Sequence, residues 1–353
     1  MTQAMTRFPR PLVPGDRIAV TAPSSGVDDA LRARLEVALA TLRGRGFEVV
    51  VGECMSADRV RSAPKEERAA ELVDFLCDPS VAAVVPPWGG ELAIDLLDQL
   101  DWDALDAAEP TWLVGFSDTS TVLLPLTLRL GWATLHGANL MDTPYLPPDG
   151  LLHWTDVAAA TGPFTQRSPG RYRAEGWDDY QHDPGVSHMS LPDAGHWTVL
   201  DGTGGGAGDD AGVDVTGRLV GGCIETISPL AGTPYGDVAG FGAGHADDGL
   251  VVYLEACEDD AYTIGRALHG MRLAGWFEHA RAVLVGRTPA PDADGLTQHE
   301  AVADALGGLG IPVVLDVECG HVQPSLPLVN GAYAHVVADG DRQEITQVPG
   351  GRG

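Results

Sequence analysis

Three residues with the chemistry of acyl transfer stand in matching places. Ser117 follows the apolar run TWLVGF, Glu255 closes GLVVYLE, and His321 comes just after PVVLDV. In an open α/β sheet, ligands bind at the carboxyl ends of the strands. A Ser in a sharp strand-to-helix turn is held with its hydroxyl exposed near the positive end of the helix dipole, which is where an acyl-transfer nucleophile belongs. Such a Ser needs a base, and the base needs an orienting partner. Each residue also has an ordinary reading: Ser117-Asp118-Thr119 suits a helix N-cap, and a single His or Glu is commonly structural. Thr119 stands where a G-x-S-x-G elbow requires its second Gly, which disfavours an ordinary α/β-hydrolase. Among the other histidines only His136, in ATLHG, has a comparable setting. Gly89-Gly90, after VAAVVPPW, is either a plain tight turn or a place where a backbone N–H approaches a developing oxyanion.

The elements that must position these residues alternate between strand and helix. The pattern predicts strands over 16–23, 47–52, 81–90 and 111–116, and helices over 28–46, 63–80, 91–100 and 119–131. Such alternation means a parallel sheet with helices on its faces, and runs such as VAAVV indicate burial on both sides. From about Thr143 to Gly217 the pattern weakens, and DGTGGGAGDDAGVDVTG (201–217) reads as a flexible acidic surface loop. Strands return at 217–222, 249–257, 281–287, 312–317 and 332–339, with helices over 259–277 and 295–310. The expected organisation is an N-terminal α/β domain (1–145) carrying Ser117, a linker and substrate-loop region (146–216), and a C-terminal α/β domain (217–353) carrying Glu255 and His321.

Composition narrows the functions open to this frame. With 22 Lys and Arg against 50 Asp and Glu, the 353-residue chain carries a formal charge of −28. That argues against a nucleic-acid polymer or an anionic membrane as partner. No apolar stretch approaches the roughly 20 residues of a membrane span, and the first residues lack the apolar core of a signal peptide. The five cysteines (Cys54, Cys77, Cys223, Cys257 and Cys319) are odd in number and show no C-x-x-C spacing, and no H-E-x-x-H occurs. Neither a disulfide framework nor a structural zinc site is expected, and a cytoplasmic location fits.

Taken in order, GDRIAVTAPSSG, WGGELAIDLLDQLD, VGFSDTSTVLLPL, TLHGANL, GRLVGGCIETISPLAGT, LVVYLEACEDDAYTIGRAL and ECGHVQPSLPLVNGAYA resemble the LD-carboxypeptidase family of serine peptidases. The resemblance covers most of the chain. It implies an N-terminal parallel-sheet domain of the flavodoxin or Rossmann kind with a nucleophile turn, a C-terminal α/β domain with a mixed sheet or barrel, and a homodimer. It also implies catalysis without metal or cofactor. Carried over by residue, Ser117 is the nucleophile, His321 the general base, Glu255 its orienting carboxylate, and the N–H groups of Gly90 and Asp118 the oxyanion hole. Two positions depart from the family pattern. Cys223 replaces an Asn expected to contact substrate in the GGN segment, and a thiol cannot supply an amide's donor and acceptor pair. Trp88 precedes the Gly pair as part of a bulky PPW; it either walls the pocket or packs.

The family divides by substrate. Murein tetrapeptide carboxypeptidases release a terminal D-Ala, whereas self-immunity members cleave an amide joining an aminoacyl or peptidyl group to a nucleotide, a detoxification that confers antibiotic resistance. The length and the long segment between Ser117 and Glu255 resemble the second group more closely. In that segment Trp177 and Trp197 offer aromatic faces for a nucleobase, or else cover the core edge, and Arg266 offers a planar fork for a carboxylate or phosphate, or else a helix-surface ion pair. An anionic substrate would be repelled by the overall charge, so the acidity is expected in loops such as 201–217, with Arg266 kept for the cleft.

Overall fold

The computed structural model describes residues 6–56, 60–200 and 212–350. Its strands in chain order are β1 (Arg17–Val20), β2 (Glu48–Val51), β3 (Val81–Val85), β4 (Trp112–Gly115), β5 (Thr134–His136), β6 (Phe164–Arg167), β7 (Arg171–Tyr172), β8 (Asp193–Ala194), β9 (Thr198–Leu200), β10 (Val213–Cys223), β11 (Leu250–Glu255), β12 (Ala280–Gly286), β13 (Val313–Val317), β14 (Leu328–Asn330), β15 (Tyr333–Asp339) and β16 (Arg342–Val348). The main helices are α1 (Arg32–Gly44), α2 (Lys65–Cys77), α3 (Trp102–Ala107), α4 (Ser120–Leu130), α5 (Trp154–Ala158), α6 (Ile224–Ile227), α7 (Val238–Gly244), α8 (Ala261–Leu273) and α9 (Gln298–Leu306).

β1 to β5 form a parallel sheet in the order β2-β1-β3-β4-β5, the doubly wound order of flavodoxin-like folds, and β14 adds to its β5 edge antiparallel. Alternation along each strand covers both faces. Ile18 and Val20 pack with Ala38, Leu39 and Leu42 of α1, while Ala19 packs on the other side with Leu72 of α2 and Val122 of α4. The order reverses between β1 and β3, so their carboxyl ends open a crevice. Ser24 and Gly89 lie there.

The second sheet runs β6-β16-β15-β10-β11-β12-β13-β9. Its four central strands, β10 to β13, are parallel, and antiparallel strands flank them on both sides. β6 and β9 are its free edges, so this is an open mixed sheet and not a closed barrel. Both edges come from the weakly patterned segment 146–216. The flexible loop expected over 201–217 falls largely on 201–211, outside the described residues. Residues 213–217 open β10 instead, where V-D-V-T-G alternates against β15. Nor is 91–100 a regular helix: it holds one short 3-10 turn, Ala93–Leu96, because the Asp118 carboxylate captures the Ala93 amide at 2.8 Å.

One buried side chain ties the sheets together. Asn330, at the end of β14, donates to Thr134 Oγ1 on β5 at 3.2 Å. Its oxygen accepts from the Tyr253 hydroxyl on β11 at 2.8 Å and from the Gly221 amide on β10 at 3.1 Å. Replacing Asn330 with Leu would keep the branched shape of the side chain and strand both donors in a dry interior. The expected cost is about 2–4 kcal/mol of unfolding free energy. Chemical denaturation of Asn330→Leu should show it, and a midpoint equal to that of the parent chain would refute the role of this clasp.

Candidate active site

The first sheet delivers Ser117 by a strained turn. Ser117 has φ 61° in the left-handed region, which costs a non-glycine residue of order 1–3 kcal/mol and is typical of functional sites. The turn is fixed from several sides. The buried Asp118 carboxylate accepts from Ser24 Oγ at 2.5 Å and from the Ala93 amide at 2.8 Å. Burial raises the Asp118 pKa, while those hydrogen bonds work against the rise. Thr226 of α6 donates through its hydroxyl to the Ser117 carbonyl at 3.3 Å, linking the turn to the second sheet. Gly89 is required by contact alone. A Cβ there would meet Ser117 Oγ at 2.7 Å and the Asp118 nitrogen at 3.0 Å, filling the space in front of that N–H.

The second sheet delivers Glu255 from the end of β11 and His321 from the loop after β13. Glu255 Oε2 accepts from His321 Nδ1 at 2.7 Å, and the carboxylate is fully buried. Gly320 makes this approach possible, since a Cβ at that position would collide with the carboxylate. Burial alone would raise the Glu255 pKa, but the charge of His321 and the nearby His136 outweigh it and hold the group at about 2. For His321, burial works downward. The Glu255 charge, helped by the Cys257 thiol, wins and carries the imidazole well above its ordinary value. The Phe116 ring, one residue before Ser117, lies 4.8 Å from the His321 ring between centroids, so the two sheets meet at the site.

Several supports were not evident from sequence. His136 is buried on the far side of Glu255, with Nε2 3.7 Å from Oε1. Glu225 accepts from the amides of Cys257 at 2.7 Å and Glu258 at 2.9 Å, fixing the turn that follows Glu255. Glu318, three residues before His321, is locked by Arg287 at 2.8 Å, by Ser168 at 2.7 Å and by the Trp197 indole N–H at 2.6 Å. Trp197 is therefore a core residue that anchors the His321 loop, and it offers no face to a base. Arg266 is exposed on α8, hydrogen-bonded to Thr263, and does not line the cavity at His321. A helix-surface position wins there because the buried face of α8 is taken by Ile264, Gly265 and Leu268.

That cavity lies beside His321 and is largely apolar and aromatic, with Phe116, Trp154 and Trp177 in its wall. Trp177 is 59% exposed, so it has a free face. Trp88 stacks on Tyr180 with ring centroids 6.3 Å apart and is half-buried. Asp142, which accepts from the Tyr180 hydroxyl at 2.7 Å, is the carboxylate of the lining, and no Lys or Arg is among the lining residues. Gly90 has φ 137° and packs on Ser24 and Ser25. Cys223 is buried at the end of β10, in register with Glu255, and its thiol donates to Glu225 at 3.2 Å. Burial, reinforced by Glu255 and Glu225, raises its pKa well above the ordinary thiol value, which disfavours the thiolate a nucleophile needs.

Known proteins share this architecture. Residues 18–137 match the family model of the LD-carboxypeptidase N-terminal domain, and residues 216–336 match that of the C-terminal domain. A protein of Streptomyces coelicolor bearing the name of a carboxypeptidase is 30% identical over 94% of this chain and 93% of its own. The microcin C7 self-immunity protein MccF of Escherichia coli is 24% identical over 98% of both chains. The murein tetrapeptide carboxypeptidase of Pseudomonas aeruginosa is 26% identical over 71% of this chain and 70% of its own. A solved structure of MccF in complex with aspartyl sulfamoyl adenosine has a TM-score of 0.78 at 23% identity, covering 96% of this chain and 97% of that one. No helix among the described residues is long and apolar enough to cross a membrane.

The charge coupling between Glu255 and His321 can be measured without substrate. Glu255→Gln removes the negative charge that opposes burial at His321, so the imidazole pKa should fall below its parent value. Nitrogen-15 NMR titration of the His321 ring in both proteins should show the drop. An unchanged titration would mean that the pair is not coupled as described.

Proposed function

The chain belongs to the LD-carboxypeptidase family of serine peptidases, and from that premise we propose that it hydrolyses the amide bond of an aminoacyl- or peptidyl-nucleotide, a detoxifying activity of the self-immunity type. The observation that carries the catalytic part is the 2.7 Å bond between buried Glu255 and His321, with the His321 ring packed on Phe116, which precedes a serine in a strained strand-to-helix turn. Ser117 attacks the carbonyl as His321 takes its proton. Glu255 holds the imidazole in one tautomer and balances the charge that forms. The N–H groups of Gly90 and Asp118 receive the oxyanion; losing one such donor typically costs roughly 3 kcal/mol of barrier. His321 then protonates the leaving amine, and water releases the acyl group by the same route. Because the His321 pKa is raised, the neutral imidazole that the reaction needs forms only at higher pH than an ordinary histidine would require. With its five cysteines unpaired, the enzyme is suited to a reducing cytoplasm, and the family resemblance is what supports a homodimer.

The nucleotide part rests on likeness to MccF along the whole chain and on the free face of Trp177 in the cavity wall. One observation favours a second reading. Asp142 and the absence of Lys and Arg from the lining of this cavity suit a substrate without phosphate, such as a murein tetrapeptide ending in D-Ala; Arg173 lines only the second cavity at His321. Parallel assays with an aminoacyl sulfamoyl adenosine and with murein tetrapeptide decide between them. Cleavage of the adenosine conjugate is expected, and release of D-Ala alone would overturn the nucleotide reading. In either assay Ser117→Ala should lower kcat by about four orders of magnitude or more. Full activity in that variant would overturn the assignment of the nucleophile.

A further inference from the structure

We propose that Cys223, Glu255 and His321 form a binding site for a thiophilic divalent cation of the zinc type, and that the bound ion blocks catalysis. One ligand atom from each residue lies within 4.8 Å of the others. A tetrahedral Zn2+ with thiolate, imidazole and carboxylate ligands has donors about 3.5 Å apart, so closure asks for side-chain shifts of ~1 Å. The donor set of soft sulfur, borderline nitrogen and one oxygen suits Zn2+ and Co2+ and excludes Mg2+ and Ca2+. Cys257, whose thiol helps to raise the His321 pKa, stands next to the site.

A second observation points to a ligand independently of that grouping. Glu255 is fully buried, yet its Oε1 has no hydrogen-bond partner. His136, which faces that oxygen from 3.7 Å, has neither ring nitrogen bonded. His136 and His321 balance the charge of this carboxylate, but Oε1 keeps a lone pair without a hydrogen bond in a dry interior, where a closer ligand can bind. The approach is through His321, which lines two cavities, whereas Cys223 and Glu255 are buried. The surroundings also favour a cation. Glu225 accepts from the Cys223 thiol at 3.2 Å, and the net charge of −28 raises the local concentration of positive ions.

The proton balance sets the direction of the pH dependence. The ion replaces the thiol proton of Cys223 and, where His321 is protonated, the imidazolium proton as well. Affinity therefore rises with pH. With its lone pair on the metal, His321 cannot accept the Ser117 proton, so occupancy means inhibition.

The test uses the full chain, stripped of metal with a chelator, and Co2+ as the optical probe. The parent protein should take up one equivalent, showing the visible bands of tetrahedral Co2+ and a near-ultraviolet thiolate charge-transfer band, both removed by Zn2+. Ser117→Ala, which lacks the nucleophile and keeps all ligands, should give the same spectrum. Cys223→Ser should lose the charge-transfer band and weaken Zn2+ competition by about tenfold or more. Circular dichroism checks that this variant folds, and Cys223→Ala with His321→Ala repeats the readout if it does not. A parent spectrum without a thiolate band, a band that survives in the Cys223 variants, or a band lost only in Cys257→Ser would each overturn the proposal. These readouts need no substrate, so they stand apart from the choice between nucleotide and murein peptide.

Discussion

The charge on Glu255 is the constraint around which the rest is arranged. An ionised carboxylate taken out of water costs several kcal/mol even after relaxation, and it persists only when paired. Here the pairing is one short bond to His321, and nearly every support of the site serves that bond. Gly320 leaves room for it, and Glu318 with Arg287 and Trp197 pins the loop that carries His321. Glu225 fixes the turn on the other side of Glu255. The same bond couples two titrations. The carboxylate stays ionised down to about pH 2, and the imidazole holds its proton to higher pH than usual. The folded state therefore gains from the carboxylate above the ordinary Glu range and loses that contribution as pH falls toward 2. It gains from the imidazolium below the ordinary His range and loses that contribution as pH rises through the raised value.

The site exists only where two sheets meet. Ser117 arrives from the first, Glu255 and His321 from the second, and small polar contacts carry the join. Thr226 reaches the Ser117 carbonyl, and Asn330 touches β5, β10 and β11 at once. Neither contact is strong alone. Their value is that each satisfies buried groups on both sides, so the sheets cannot drift apart without leaving donors unpaired.

Much of this was legible in the chain because the signals are local. Strand ends are marked by apolar runs that stop at turn residues, and Ser117, Glu255 and His321 sit at three of them. The parallel order of the first sheet follows from the same alternation. What escaped is decided by tertiary contact. Trp177 and Trp197 look equivalent in sequence, yet one has a free face and the other spends its indole N–H on Glu318. Arg266 lies on a helix whose inner face was already claimed by apolar residues. Of the mixed sheet or barrel expected for the C-terminal part, the mixed sheet forms and stays open, because the edge strands β6 and β9 come from a stretch without periodicity and do not pair with one another. His136 stood out by its setting, but nothing in ATLHG reveals that its ring would face a carboxylate about 120 residues away.

The return of β14 to the first sheet has a consequence for synthesis. β5 lacks its outer neighbour until residues 328–330 have left the ribosome. At ordinary elongation rates the stretch between the two strands takes on the order of 10–40 s to make. Throughout that time the nascent first sheet presents an open strand edge, the kind of template that recruits other chains. Closing it is among the last events of assembly, and it also places Asn330. A ribosome-bound chain of this protein therefore carries that open edge until nearly all of the described residues are present.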